Sequence, residues 1–178
     1  LQDVGLTLGT VTEEYSETVA QGAVISQGSE TGTQLRHGSA VDVVISKGRE
    51  PLPVPDLAGK TSEQAKKAVT DLGLVPEETA AHSDTVAEGS VISQSTPAGS
   101  TAHRGDTVTY VVSLGPEMVE VPGVVGKQED EATKILEDAG FQVRTERILG
   151  GYFATVRATD PAAGTSVRKG STVTITVV

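Results

Sequence analysis

The sequence predicts an α+β chain of tandem small modules, each with one α-helix packed on a three-stranded β-sheet, arranged as an elongated rod. Three observations carry this. Glycines recur in a fixed register: Gly22, Gly32, Gly38 and Gly48 return 67 residues later as Gly89, Gly99, Gly105 and Gly115, and two continue at 65 as Gly164 and Gly170. Val41, Val43 and Ile45 map onto Val108, Tyr110 and Val112 and then onto Val173, Ile175 and Val177, alternating with Thr, Asp, Val or Ser. Such alternation reads as a half-buried strand closing each unit. Ala65, Ala68, Val69 and Leu72, and Ala132, Ile135, Leu136 and Ala139, follow the i, i+3, i+4, i+7 rule of an amphipathic helix.

The remaining elements follow in order. Thr61 and Gln64 have the spacing of a capping box, and Gly73 and Gly140 stand where a left-handed C-terminal cap belongs. After the cap, Leu74-Val75 and Phe141-Gln142-Val143 open a strand, and Val91-Ile92-Ser93 and Val156-Arg157-Ala158 form another. The unit is α, β, β, β. Pro55, Gly59 and Gly73 recur as Pro122, Gly126 and Gly140, and the third copy loses two residues between Gly140 and Val156. The expected modules are 1–48, 49–115 and 116–178, the last two including their preceding linkers. The first starts at Leu1 with its opening segment and nearly all its helix missing, so the protein is expected to continue upstream. The linkers, Arg49–Pro53 and Pro116–Glu120, contain proline and charge. Extended at ~3.1 Å per residue, each spans about 16 Å, which keeps neighbouring modules from folding back on one another.

Composition narrows the function. Only 3% of the residues are aromatic, so the cores are thin layers of Val, Ile, Leu and Ala. The absence of cysteine removes disulfides, thiol catalysis and Cys-based zinc sites, and the absence of Asn removes glycosylation sequons; together they point to a bacterial source. No stretch approaches the ~20 apolar residues of a membrane span, so any tether lies in a segment outside this chain. A net charge of −10 argues against nucleic acid or anionic lipid as the main partner.

Several motifs mimic chemistry without the context for it. Ser166-Val167-Arg168-Lys169 matches Ser-x-x-Lys, but the same columns read Thr101 and Arg104 in the second copy and Gln34 and His37 in the first, and no Lys-Thr-Gly accompanies it. It reads as a solvated hairpin or loop before the last strand. Gly59-Lys60-Thr61 lacks the leading glycine of a phosphate loop and reads as a helix entry. His37, His82 and His103 lie in polar stretches without ligand spacing, and the acids around Ser83-Asp84 lack a calcium-loop pattern. No catalytic residue, metal site or cofactor is expected.

The third copy is chemically distinct. Residues 1–50, 51–118 and 119–178 carry net charges of −4, −5 and −1, and half of the 14 Lys and Arg residues lie in the last third, with Phe141, Tyr152 and Phe153. Arginine beside aromatic faces holds carboxylates and stacks on planar groups. The candidate ligand-binding residues are therefore Arg144, Arg147, Tyr152, Phe153 and Arg157. Arg157 fills the column of Ile25 and Ile92, and the plainer reading puts that column on the solvent face. One of Tyr152 and Phe153 is expected to cap the core of the shortened loop, which leaves at most one as a ligand platform.

The Val-Pro openings (Val54-Pro55, Val121-Pro122), the helix with Glu-x-Ala (Glu63-Gln64-Ala65, and Glu131-Ala132 with one residue fewer), Val91-Ile92-Ser93-Gln94, Pro97-Ala98-Gly99-Ser100, Arg104-Gly105-Asp106-Thr107-Val108 and Asp160-Pro161-Ala162-Ala163-Gly164-Thr165 resemble the PASTA module. The resemblance covers the whole chain. It implies an extracellular sensor of a bacterial, single-pass serine/threonine protein kinase, cell-wall associated on the outer side of the plasma membrane. It also implies recognition of peptidoglycan fragments or their lipid-linked precursor, regulation of cell-wall growth and division, contacts with other cell-wall or division proteins, and ligand-induced dimerisation. The alternatives are the C-terminal localisation tail of a penicillin-binding transpeptidase and a passive spacer array.

Overall fold

The computed structural model describes residues 1–148 and 153–178. A 3-10 turn at Gln2–Val4 opens the chain. The first module then has β1 (Thr7–Glu14), β2 (Val24–Gln27) and β3 (Ala40–Ser46). The second has β4 (Leu52–Pro53), α1 (Ser62–Asp71), β5 (Val75–Ala81), β6 (Val91–Gln94), β7 (Thr101–Ala102) and β8 (Thr107–Ser113). The third has β9 (Met118–Glu120), α2 (Glu129–Asp138), β10 (Gln142–Arg147), β11 (Val156–Asp160), β12 (Ser166–Arg168) and β13 (Thr172–Val177). By compactness the chain divides into two units, Leu1–Thr79 with Val91–Val111, and Ala80–Ser90 with Val112–Val178.

Each module contains a three-stranded sheet, ordered β1-β3-β2, β5-β8-β6 and β10-β13-β11. The closing strand is therefore central, parallel to the first strand and antiparallel to the second in the first and third modules. Central placement explains its Val- and Ile-rich pattern: on β13, Val173, Ile175 and Val177 are buried, while Thr172 on the alternate face is exposed.

Helix α1 starts with the predicted capping box. The Gln64 backbone N–H donates to Thr61 Oγ1 at 3.3 Å and the Thr61 N–H to Gln64 Oε1 at 3.2 Å. Helix α2 lacks such a cap; its first turn carries Glu129, Asp130 and Glu131, which suit the positive end of the helix dipole. Ala65 and Val69 of α1, and Ala132 and Leu136 of α2, are buried.

The two complete cores use the same columns with large and small groups redistributed: Leu57 and Val69 of the second module become Val124 and Leu136 in the third. The aromatic ring of the second module comes from the closing strand, Tyr110, with Leu74 after the helix; in the third module Phe141 follows the helix and Ile175 occupies the strand. Swapping the large group between facing elements keeps the core volume nearly constant. Phe141, 4% exposed, is thus a core residue.

Two sequence expectations change. The proline-containing linkers are only partly linker: β4 pairs with β7 and β9 with β12, so Leu52–Pro53 and Met118–Glu120 belong to the sheets of the modules they introduce. Ser166–Arg168 is accordingly a paired strand rather than a solvated hairpin or loop, because the incoming chain satisfies its backbone groups.

Candidate ligand-binding surface of the third module

The third sheet has two faces. Val173, Ile175 and Val177 turn toward α2, and Thr174 and Thr176 lie on the face away from it. Register assigns the candidate arginines to these faces. Arg144 pairs with Thr174, placing it on the outer face of β10, exposed and 3.6 Å from Glu146 Oε1. Arg147 pairs with Val177 and so falls on the helix side. There its Nη2 donates to both carboxylate oxygens of Glu129, the first residue of α2, at 2.8 and 3.0 Å.

Arg157 sits on the opposite edge strand, β11, between Val156, which pairs with Val177, and Ala158, which pairs with Thr176. It is the extra residue of a β-bulge, a position that turns a side chain out of the regular alternation. Its exposure agrees with the solvent-face reading of this column. Phe153 is 77% exposed, so it does not cap the core. Tyr152 lies outside the described residues.

The structure thus separates the four candidates it describes. Arg144 and Arg157 stand exposed on the two edge strands flanking β13, Phe153 is an exposed ring just ahead of β11, and Arg147 is engaged at the start of α2. Exposed guanidinium and aromatic groups offer hydrogen bonds to carboxylates and a stacking face for a planar or sugar ligand. No cluster of three or more His, Cys, Asp or Glu fit to hold a metal occurs among the described residues. Lys169, the final residue of the Ser-x-x-Lys match, is held by Glu117, with Nζ 3.0 Å from each carboxylate oxygen.

Ionic contacts at the module junctions escaped the sequence reading. Arg49, in the first linker, donates to Glu17 Oε2 at 3.2 Å, to Asp106 Oδ1 at 3.2 Å and to the Arg104 carbonyl. The His103 N–H donates to the other carboxylate oxygen, Asp106 Oδ2, at 2.8 Å. Asp106 is held below the usual carboxylate range, first by the His103 N–H and then by Arg49, and the Arg49 guanidinium is raised chiefly by Glu17. The available signal was the column comparison itself, in which Arg49 and Asp106 of the first junction become Pro116 and Ser171 in the second.

A chain of repeated, thin-cored α+β units, each with its own three-stranded sheet, belongs to the class of tandem small-module arrays. The profile of the PASTA domain matches residues 1–47, 52–113 and 119–178, and the chain belongs to that family. It is 41% identical over 162 residues to the probable serine/threonine-protein kinase pknA2 of Bifidobacterium longum, covering 88% of this chain and 21% of the kinase. It is 34% identical over 182 residues to the probable serine/threonine-protein kinase PknB of Corynebacterium glutamicum, covering 99% of this chain and 28% of that protein. The chain therefore spans 21% to 28% of the length of these kinases. Among solved structures, the entire extracellular region of the Ser/Thr kinase PrkC from Staphylococcus aureus superposes with a TM-score of 0.85 at 28% identity, covering 99% of this chain and 64% of that one. A three-PASTA-domain structure of a Ser/Thr kinase from Staphylococcus aureus gives 0.74 at 27% identity, covering 99% and 89%.

Proposed function

We propose that this chain is part of the extracellular sensor region of a bacterial membrane serine/threonine protein kinase. Its third module would recognise peptidoglycan fragments or the lipid-linked cell-wall precursor. The observation that carries the parentage is the match along 99% of the chain to a structure described as the extracellular region of such a kinase. The ligand assignment is supported by the exposed Arg144, Arg157 and Phe153 in the least acidic third of the chain. Arginine forks bind the carboxylates of a stem peptide, and the ring stacks on its planar or sugar groups. Arg147 takes a positioning role, holding the start of α2 through Glu129. Ligand capture would act on the kinase through clustering or dimerisation of the full-length protein.

Titrating the full 178-residue chain with synthetic stem-peptide muropeptides, followed by NMR, tests the ligand reading. Shifts confined to Arg144, Tyr152, Phe153 and Arg157 are expected. Unchanged signals at Arg144, Tyr152 and Arg157 would remove the third module as the binding site.

A further inference from the structure

The first and second junctions share one backbone frame. Ser16 N–H donates to the Gly48 carbonyl at 2.9 Å, and Ser83 N–H to the Gly115 carbonyl at 2.9 Å. Ser46 Oγ donates to the Val19 carbonyl at 2.7 Å and Ser113 Oγ to the Val86 carbonyl at 2.8 Å. Gly105 N–H reaches the Gly73 carbonyl, and Gly170 N–H the Gly140 carbonyl, both at 2.8 Å. On this common frame the side chains differ in one respect that bears on binding.

At the first junction a guanidinium fills the frame: Arg49 bridges Glu17 on one side to Asp106 and the Arg104 carbonyl on the other. At the second, Pro116 stands in the column of Arg49 and Ser171 in that of Asp106, while the acid in the column of Glu17 is kept as Asp84. A cleft of about 350 Å³ opens there, lined by His82, Ser83, Asp84, Glu117, Gly140 and Lys169, with Gly170 beside them. Glu117 and Lys169 neutralise one another. Asp84 makes no ion pair among the described residues, so with His82 neutral the cleft carries one net negative charge. His82 is anchored by Nδ1, 3.2 Å from the Gly115 carbonyl. Gly140 leaves room for the stem of Lys169, whose Cγ lies 3.0 Å from where a Cβ would stand.

We propose that the cleft at the second junction binds an external guanidinium group, such as the end of an arginine side chain, in the place that Arg49 fills at the first. Asp84 supplies the counter-charge and the free lone pairs of Glu117 a second acceptor, as Glu17 and Asp106 do for Arg49. A planar fork suits two acceptors better than a point-charge ammonium does. The site is separate from the outer face of the third sheet and does not depend on the peptidoglycan reading.

The test uses the full chain and two probes, butylguanidinium and acetyl-Gly-Arg-Gly amide, with the uncharged citrulline tripeptide as control, read by NMR shifts at His82, Asp84 and Lys169. Binding by both charged probes places recognition in the group itself. Binding by the peptide alone assigns the site to an arginine on a polypeptide. Equal binding of the citrulline peptide, or no shift with either charged probe, overturns the proposal. Asp84→Asn is expected to weaken binding roughly tenfold or more. Pro116→Arg combined with Ser171→Asp rebuilds the first junction's internal occupant and is expected to abolish binding. Undiminished affinity in either variant, with an unchanged circular dichroism spectrum, overturns it as well.

Discussion

Ser113 Oγ donates to the Val86 carbonyl at 2.8 Å while accepting the Gly115 backbone N–H at 3.0 Å. The side chain is buried and joins three separate stretches: the end of the closing strand, the loop before β6 and the exit toward the third module. Ser46 repeats the arrangement with Val19 and Gly48. Ser113→Ala leaves the half-buried Val86 carbonyl and the buried Gly115 N–H without their partner, which costs about 2 kcal/mol. Urea unfolding should show a lower midpoint for this variant, with the loop amides of Val86 and Gly115 exchanging faster than the rest.

Ala154 adopts φ 48° in the column where Gly22 and Gly89 have φ 82° and 78°. A Cβ in this left-handed region costs roughly 1 kcal/mol, partly offset because Ala restricts the unfolded chain more than Gly does. Ala154→Gly is therefore expected to leave stability unchanged or raise it by up to about 1 kcal/mol, by thermal denaturation. A clear loss would show that the methyl group makes contacts that compensate for its backbone conformation.

Arg144 and Arg147 lie three residues apart and should behave oppositely. Arg147→Ala removes both bonds to Glu129 and is expected to cost up to about 1 kcal/mol, the range of partly exposed pairs. Arg144→Ala, whose guanidinium is 3.6 Å from a single exposed Glu146 oxygen, should be neutral in stability but weaken muropeptide binding. Denaturation and titration of the two variants side by side separate the positioning residue from the contact residue.

Asp106 is charged in the folded chain to lower pH than in the unfolded one, through the His103 N–H and Arg49. The unfolded state therefore binds more protons between the two values, and the stabilisation is present above about pH 4 and lost as pH falls through the depressed value. An acid titration should show the Arg49 and Asp106 amide signals shifting together. Asp106→Asn should remove that step.

At the alkaline end, burial and then the neighbouring Glu78 raise the Tyr110 phenol above its ordinary value; its OH donates to Glu78 Oε2 at 3.3 Å. The folded chain here holds a proton that the unfolded chain gives up above about pH 10, so stability falls with pH there. Tyr110→Phe should flatten this alkaline decline in a pH series of melting temperatures.

The sequence by itself determined the module plan. Repeated glycines marked the turns, a 3.6-residue period marked the helices, and Thr61 with Gln64 named a cap that forms as written, since these signals are local and each residue's neighbours in sequence are its neighbours in space. Only the tertiary structure decided what depends on distant pairing. It made the closing strand central, drew Leu52–Pro53 and Met118–Glu120 into sheets, and divided Arg144 from Arg147 by the register of β10 on β13. Phe141 and Phe153, grouped by composition, went to core and solvent because burial depends on which face meets α2. The bond between Arg49 and Asp106 spans 57 positions, a separation that no periodicity reports. Charge partners are chosen by where the folded backbone brings side chains together, and that is settled only when the sheets close.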